Sequence, residues 1–117
     1  MPKRILVVDN ELRSREMIAH FLREASYEVE QADDGVSAIE MLDKKKFDLM
    51  ICDIVMPQLS AIDVVRHMNS RSLSTSVILI TGHPDLVAQR GLGHLPYFTK
   101  PFNMYDLLRV VKEIIGE

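Results

Sequence analysis

Four short stretches place groups with metal and phosphate chemistry at the ends of apolar runs. They are Val7-Val8-Asp9-Asn10-Glu11, Asp53 after Leu49–Cys52, Thr81 after Ser76–Ile80, and Lys100-Pro101 after Leu95–Thr99. Carboxyl oxygens are hard ligands that suit Mg2+, an ion that keeps waters and bridges to phosphate oxygens. A carboxylate can also attack phosphorus as a nucleophile and give an aspartyl phosphate. Phosphoryl transfer asks mainly for in-line positioning and for neutralisation of three equatorial oxygens. Mg2+, the Lys100 ammonium and the Thr81 hydroxyl could supply that neutralisation, so the residues form a self-consistent phosphoryl-acceptor site.

The set needs elements that bring it together. Arg4–Val8, Tyr27–Ala32, Leu49–Cys52, Ser76–Ile80 and Leu95–Thr99 read as strands. The first, third and fourth lack period-two alternation, as expected of strands buried on both faces. The second alternates and reads as an edge. Between them, Met17, Ile18, Phe21, Leu22 and Ala25 recur at helical spacing, as do Val36, Ile39 and Leu42. Ser60 and Asp63 resemble a capping box ahead of Val64, Val65 and Met68. Asn103 caps a last helix whose stripe is Met104, Leu107, Leu108, Val111, Ile114 and Ile115. A fourth helix opening at Pro84 is cut to about two turns by Gly91 and Gly93.

Strands alternating with helices predict an α/β fold, an open doubly wound parallel sheet with helices on both faces. Ligand sites in such sheets lie beyond the carboxyl ends of the strands, where strand order reverses. In the order 2-1-3-4-5, strands one, three, four and five bring Asp9, Asp53, Thr81 and Lys100 to one mouth. The charge on Asp53 then ends a buried strand at a polar cleft, its desolvation offset by a nearby cation and by Lys100. Pro101 restricts Lys100 to an extended backbone, with a cis bond as one option.

Composition narrows the classes. The 117 residues, 47% hydrophobic, make one domain over 1–117 with a single core. No stretch approaches the ~20 apolar residues that cross a bilayer, and the start is unlike a signal peptide. The single cysteine, Cys52, lies in an apolar run and reads as an inert packed thiol. A cytoplasmic chain is expected. The formal charge of −3 gives no footprint for nucleic acid, so proteins or small molecules are the expected partners. His20, His67 and His94 are too scattered for a metal cluster.

On "ILVVDNE", "DLMICDIVMP", "VILITGHPD" and "YFTKPF", in that order and spacing, the sequence resembles a response-regulator receiver domain over nearly its whole length. The resemblance implies a flavodoxin-like (βα)5 fold of order 2-1-3-4-5 and two-component signalling. It also implies Mg2+ dependence and a phosphohistidine donor on a sensor histidine kinase or phosphotransfer protein. By position, Asp53 matches the phosphoacceptor, Lys100 the phosphate-binding lysine, Thr81 the switch hydroxyl and Tyr97 the switch aromatic. Asp9 matches the first metal-binding acid, and the Val55 carbonyl a metal ligand. His83, with Val55, borders the site and is a candidate to tune phosphoryl lifetime. Such a domain catalyses its own phosphorylation without being a turnover enzyme, passes its signal to a downstream protein and is a monomer or weak homodimer.

Three departures modify this expectation. The family's second acid is Asn10, whose amide oxygen can coordinate Mg2+ with one unit of charge less. The acid-glycine pair after the proline loop is Ser60-Ala61, which removes some freedom for unusual dihedrals. The Thr81-to-Lys100 segment is short by roughly one helical turn, shrinking the fourth helix. The rival readings are a receiver-like interaction module that no longer uses phosphate, and a flavodoxin-type nucleotide binder. Asp9-Asn10-Glu11 disfavours the latter by repelling phosphate. An aspartyl phosphatase normally wants a second acid where Val55 stands.

Overall fold

The computed structural model, which describes residues 2–116, shows ten elements in strict alternation. They are β1 (Arg4–Val8), α1 (Leu12–Glu24), β2 (Glu28–Ala32), α2 (Gly35–Lys44), β3 (Leu49–Asp53), α3 (Ala61–Ser70), β4 (Ser76–Thr81), α4 (Asp85–Gln89), β5 (Tyr97–Thr99) and α5 (Met104–Ile115). All neighbouring strands pair in parallel, in the order β2-β1-β3-β4-β5. This is the flavodoxin-like sheet expected from the sequence.

The unbroken apolar runs follow from two covered faces. Leu6, Val8, Met50, Cys52, Val77 and Leu79 pack with Ala38 and Leu42 of α2 and Val64 and Met68 of α3. Ile5, Val7, Leu49, Ile51, Ile78 and Ile80 pack with Ile18 and Leu22 of α1 and Leu107 and Val111 of α5. Successive strand side chains point to opposite faces, so a strand covered on both has no polar position left. β2, at the edge, keeps Val29 and Ala32 buried and Glu28 exposed.

Local signals hold where caps are strong. Asn103 accepts from the Tyr105 and Asp106 amides and starts α5. At α3, the Ser60 amide and hydroxyl both donate to Asp63 Oδ2, at 3.0 and 3.2 Å. Ala61 is buried as the first helical residue, and the left-handed turn falls instead on Gln58, at φ 65°. The Lys100–Pro101 bond is cis.

Three expectations need correction. The fifth strand starts at Tyr97 rather than Leu95, because Pro96, lacking an amide hydrogen, offers only its carbonyl, to Leu79. The fourth helix spans five residues, ending where Gly91 turns left-handed at φ 72°. Met17, Val36 and Ile114, placed in apolar stripes, are exposed, Met17 at 61%.

Asp34 and Gly35 open α2, and Gly35 packs closely against Leu59 of the loop after β3. Asp34 Oδ1 caps α2 through the Ser37 amide at 2.7 Å. A Cβ on Gly35 would meet the Leu59 carbonyl oxygen at 2.5 Å. Gly35→Ala should therefore lower stability by about 1 kcal/mol. Overpacking of about 2 kcal/mol is partly offset by the better helix propensity of alanine. Chemical denaturation tests this, and a variant as stable as wild type would refute the close contact.

Candidate phosphoryl-acceptor site

β1 and β3 run side by side with Val8 opposite Cys52, so Asp9, just past β1, and Asp53, the last residue of β3, come at the same level of the sheet's carboxyl edge. They continue the Ile5–Val7 and Leu49–Ile51 rows. On β4 the register pairs Ile80 with Asp53 and puts Thr81 one position further, opposite Thr99 of β5. Lys100 follows, its amide donating to the Thr81 carbonyl at 2.7 Å. Parallel pairing thus aligns four strand ends at one edge.

The side chains converge as the strand ends require. Lys100 Nζ donates to Asp9 Oδ2 at 2.8 Å and to Asp53 Oδ2 at 3.0 Å. The outer oxygens are held by the loops: Glu11 N–H donates to Asp9 Oδ1 and Val55 N–H to Asp53 Oδ1, at 2.9 and 3.1 Å. Asp9 is fully buried and Asp53 nearly so. Among the described residues no buried side-chain polar atom lacks a partner. The site is satisfied as it stands.

Burial pushes the Asp53 carboxyl above its ordinary value, outweighing the Lys100 and Val55 hydrogen bonds that favour its ionised form; the Asp9 charge adds to the upward push. Burial pulls Lys100 down, but the hydrogen bonds and charges of Asp9 and Asp53 outweigh it and hold the ammonium above its usual range. Cys52, beneath Asp53, is sealed: burial first, then the Asp53 and Asp9 charges, push its thiol far up. Its Sγ–H donates to the Asp53 carbonyl at 3.4 Å.

The remaining candidates stand around this centre. Thr81 is buried, and its Oγ1 accepts from the His83 amide at 2.9 Å, while the His83 side chain is exposed. The helix begins after Pro84, so the Thr81 hydroxyl closes a turn rather than capping it. Asn10 is exposed at the rim. Val55 is part-exposed beside Asp53. Tyr97, on the sheet edge, is 46% exposed and lies outside the Asp9–Lys100–Asp53 group.

Two residues that the sequence reading passed over support the site. Arg15, at the start of α1, donates from Nη1 to the Asp9 carbonyl at 2.9 Å and from Nε to Gln31. Arg90, just past α4, donates to the Ile54 carbonyl at 3.4 Å. Neither carries a motif. Only an arginine within reach of a strand end marks them, and that reach is tertiary.

As for metal, Asp9 and Asp53 offer carboxyl oxygens at one mouth and the exposed Asn10 directly follows Asp9, hard oxygen donors of the kind that suits Mg2+. No group of three or more His, Cys, Asp or Glu side chains able to hold a metal occurs among the described residues.

Comparison with known proteins gives one answer. The family described as Response regulator receiver domain matches residues 5–112. The transcriptional regulatory protein PdtaR of Mycobacterium tuberculosis is 35% identical over 115 residues, covering 96% of this chain and 56% of PdtaR. The response regulator MprA of Mycobacterium leprae is 34% identical over 116 residues, 96% of this chain and 50% of MprA. The chain therefore spans about half the length of the curated relatives it matches. Among solved structures, the response regulator protein TrrA of Thermotoga maritima, in complex with Mg2+-BeF, superposes with a TM-score of 0.87. It is 32% identical, over 96% of this chain and 98% of TrrA. With four strand-end motifs, the 2-1-3-4-5 sheet and these relatives in agreement, the chain belongs to the response regulator receiver domains of two-component systems.

Proposed function

We propose that the chain works as one receiver unit over 1–117, in which Asp53 accepts a phosphoryl group from a phosphohistidine of a sensor histidine kinase or phosphotransfer protein. The observation that carries this is the Lys100 ammonium bridging Asp9 and Asp53 at 2.8 and 3.0 Å. A carboxylate oxygen of Asp53 attacks phosphorus, the O–P bond forms, and the P–N bond to the donor imidazole breaks. Lys100 moves from neutralising a carboxylate to neutralising the phosphoryl oxygens. Asp9, Asn10, Asp53 and the Val55 carbonyl would hold Mg2+, which when bound supplies further neutralisation of those oxygens. The complex of TrrA with Mg2+-BeF supports Mg2+ as the metal.

The Thr81 hydroxyl, now satisfied by the His83 amide, turns to the phosphoryl group and draws the loop after β4 inward. Tyr97 follows from its exposed position, and the face of α4, β5 and α5 changes for a downstream protein. Val55 and His83, at the rim, set how long the phosphoryl group lasts. The domain turns over no separate substrate. Protein partners are favoured by the chain's own charge of −3. Among the described residues no helix is long and apolar enough to cross a membrane.

The test is incubation with a small phosphodonor and Mg2+, followed by intact mass. Wild type gains one phosphoryl mass and Asp53→Asn gains none. Absence of any gain in wild type favours the phosphate-independent interaction module, which Asn10 motivates. Asn10→Asp should tighten Mg2+ binding about tenfold, about 1.4 kcal/mol, by restoring a negative charge at the rim. Isothermal titration with Mg2+ reads this directly, and an unchanged affinity removes Asn10 from the ligand set.

A further inference from the structure

Outside the acidic mouth, one cleft has the opposite electrostatic character. α3 and the segment from Gln89 to His94 flank an opening of about 670 Å³, within the range of small-molecule sites. Its walls carry Arg66 and Asn69 from one side and Gln89, Arg90 and His94 from the other, over an apolar floor that includes Val65 and Leu92. No carboxylate lines it. In a chain of net charge −3, that is a local reversal of sign.

Asp63 and Asp43 are committed elsewhere. Asp63 is bonded by the Ser60 amide and hydroxyl, and Asp43 by His67 at 2.9 Å with Arg71 beyond. Neither Arg66 nor Arg90 has an ion-pair partner among the described residues. Both arginines line one opening that no carboxylate lines, and planar guanidinium forks suit phosphate oxygens. The short α4 creates this arrangement: the chain turns at Gly91 and presents Arg90 and His94 to α3.

We propose that this cleft binds a small phosphate-bearing polyanion, of the diphosphate class, between Arg66 and Arg90. Arg90 also donates to the Ile54 carbonyl, one residue after Asp53. An anion that engages the Arg90 guanidinium competes with that bond, so occupancy is transmitted to the loop beside Asp53. The binding step is independent of whether Asp53 accepts phosphate.

The test uses 15N-labelled protein without divalent ions, titrated with sodium pyrophosphate against sodium chloride at matched ionic strength. Pyrophosphate should give saturable amide shifts at Asn69 and from Gln89 to His94, accompanied by shifts at Ile54 and Val55. Arg66→Gln and Arg90→Gln should each weaken binding about tenfold or more. Arg66 is exposed, so its variant keeps the fold even if Arg90→Gln perturbs it. Shifts confined to the surroundings of Lys100, shifts equalled by chloride, or full affinity in Arg66→Gln would overturn the site. Saturable binding with silent Ile54 and Val55 amides would overturn the link to the loop.

Discussion

Lys100→Met should cost about 3 kcal/mol of folding stability at neutral pH, the largest single effect expected in this domain. The lysine side chain is 22% exposed while Asp9 is wholly buried, so solvent screens the pair only weakly. Removing the ammonium leaves two carboxylates at one mouth with their loop amides but no counter-charge. The pH dependence gives the check. Lys100 has a raised folded value, so its contribution is complete below its ordinary 10.5 and disappears as pH climbs through the folded value. In acid the loss should shrink, because the Asp53 carboxyl, raised by burial, is neutral there and no longer needs the cation. Urea unfolding of both proteins at pH 7 and near pH 4 measures this. Equal stabilities at pH 7, or a deficit that persists unchanged in acid, would show that the bridge holds little.

Asp53→Asn should act in the opposite direction, adding about 2 kcal/mol at neutral pH. Burial raises the Asp53 carboxyl against the pull of Lys100. A carboxyl with a raised folded value favours folding below its unfolded value, near 3.8, and loses that contribution as pH rises through the folded value. The wild type therefore carries a cost above that window which the neutral amide does not. The gap between variant and wild type should open as pH rises from about 4 and then level off. A variant less stable than wild type at pH 7 would mean that the bond to Lys100 outweighs the desolvation of Asp53. Neighbouring residues thus have opposite expected signs: the lysine stabilises, and the acid beside it is held ionised at a cost.

Much of this was legible in the chain. Apolar runs without alternation at β1, β3 and β4 require cover on both faces, and that requirement with alternating helices selects the parallel sheet. Because parallel strands share one direction, residues that follow them share one edge, so Asp9, Asp53, Thr81 and Lys100 could be placed together from order alone. Asn103 and Ser60 signalled their helix starts through local hydrogen bonds. These signals work because their physics acts within a few residues.

What the sequence determined by itself, then, was the parallel sheet and the residues that end its strands; their order was implied by the family resemblance and is seen in the structure. The tertiary structure alone decided the contacts that cross the fold. Lys100 reaches Asp9 across 91 positions of sequence and Asp53 across 47, and it bridges both rather than choosing one. Gly35 is needed because Leu59 packs against it, and Met17 lies exposed although its spacing suits a core. Arg90, the residue after the five-residue α4, reaches the Ile54 carbonyl across 36 positions. Periodicity reports which face of an element is apolar. The separation of two elements in space depends on every side chain packed between them, and no local pattern carries that sum.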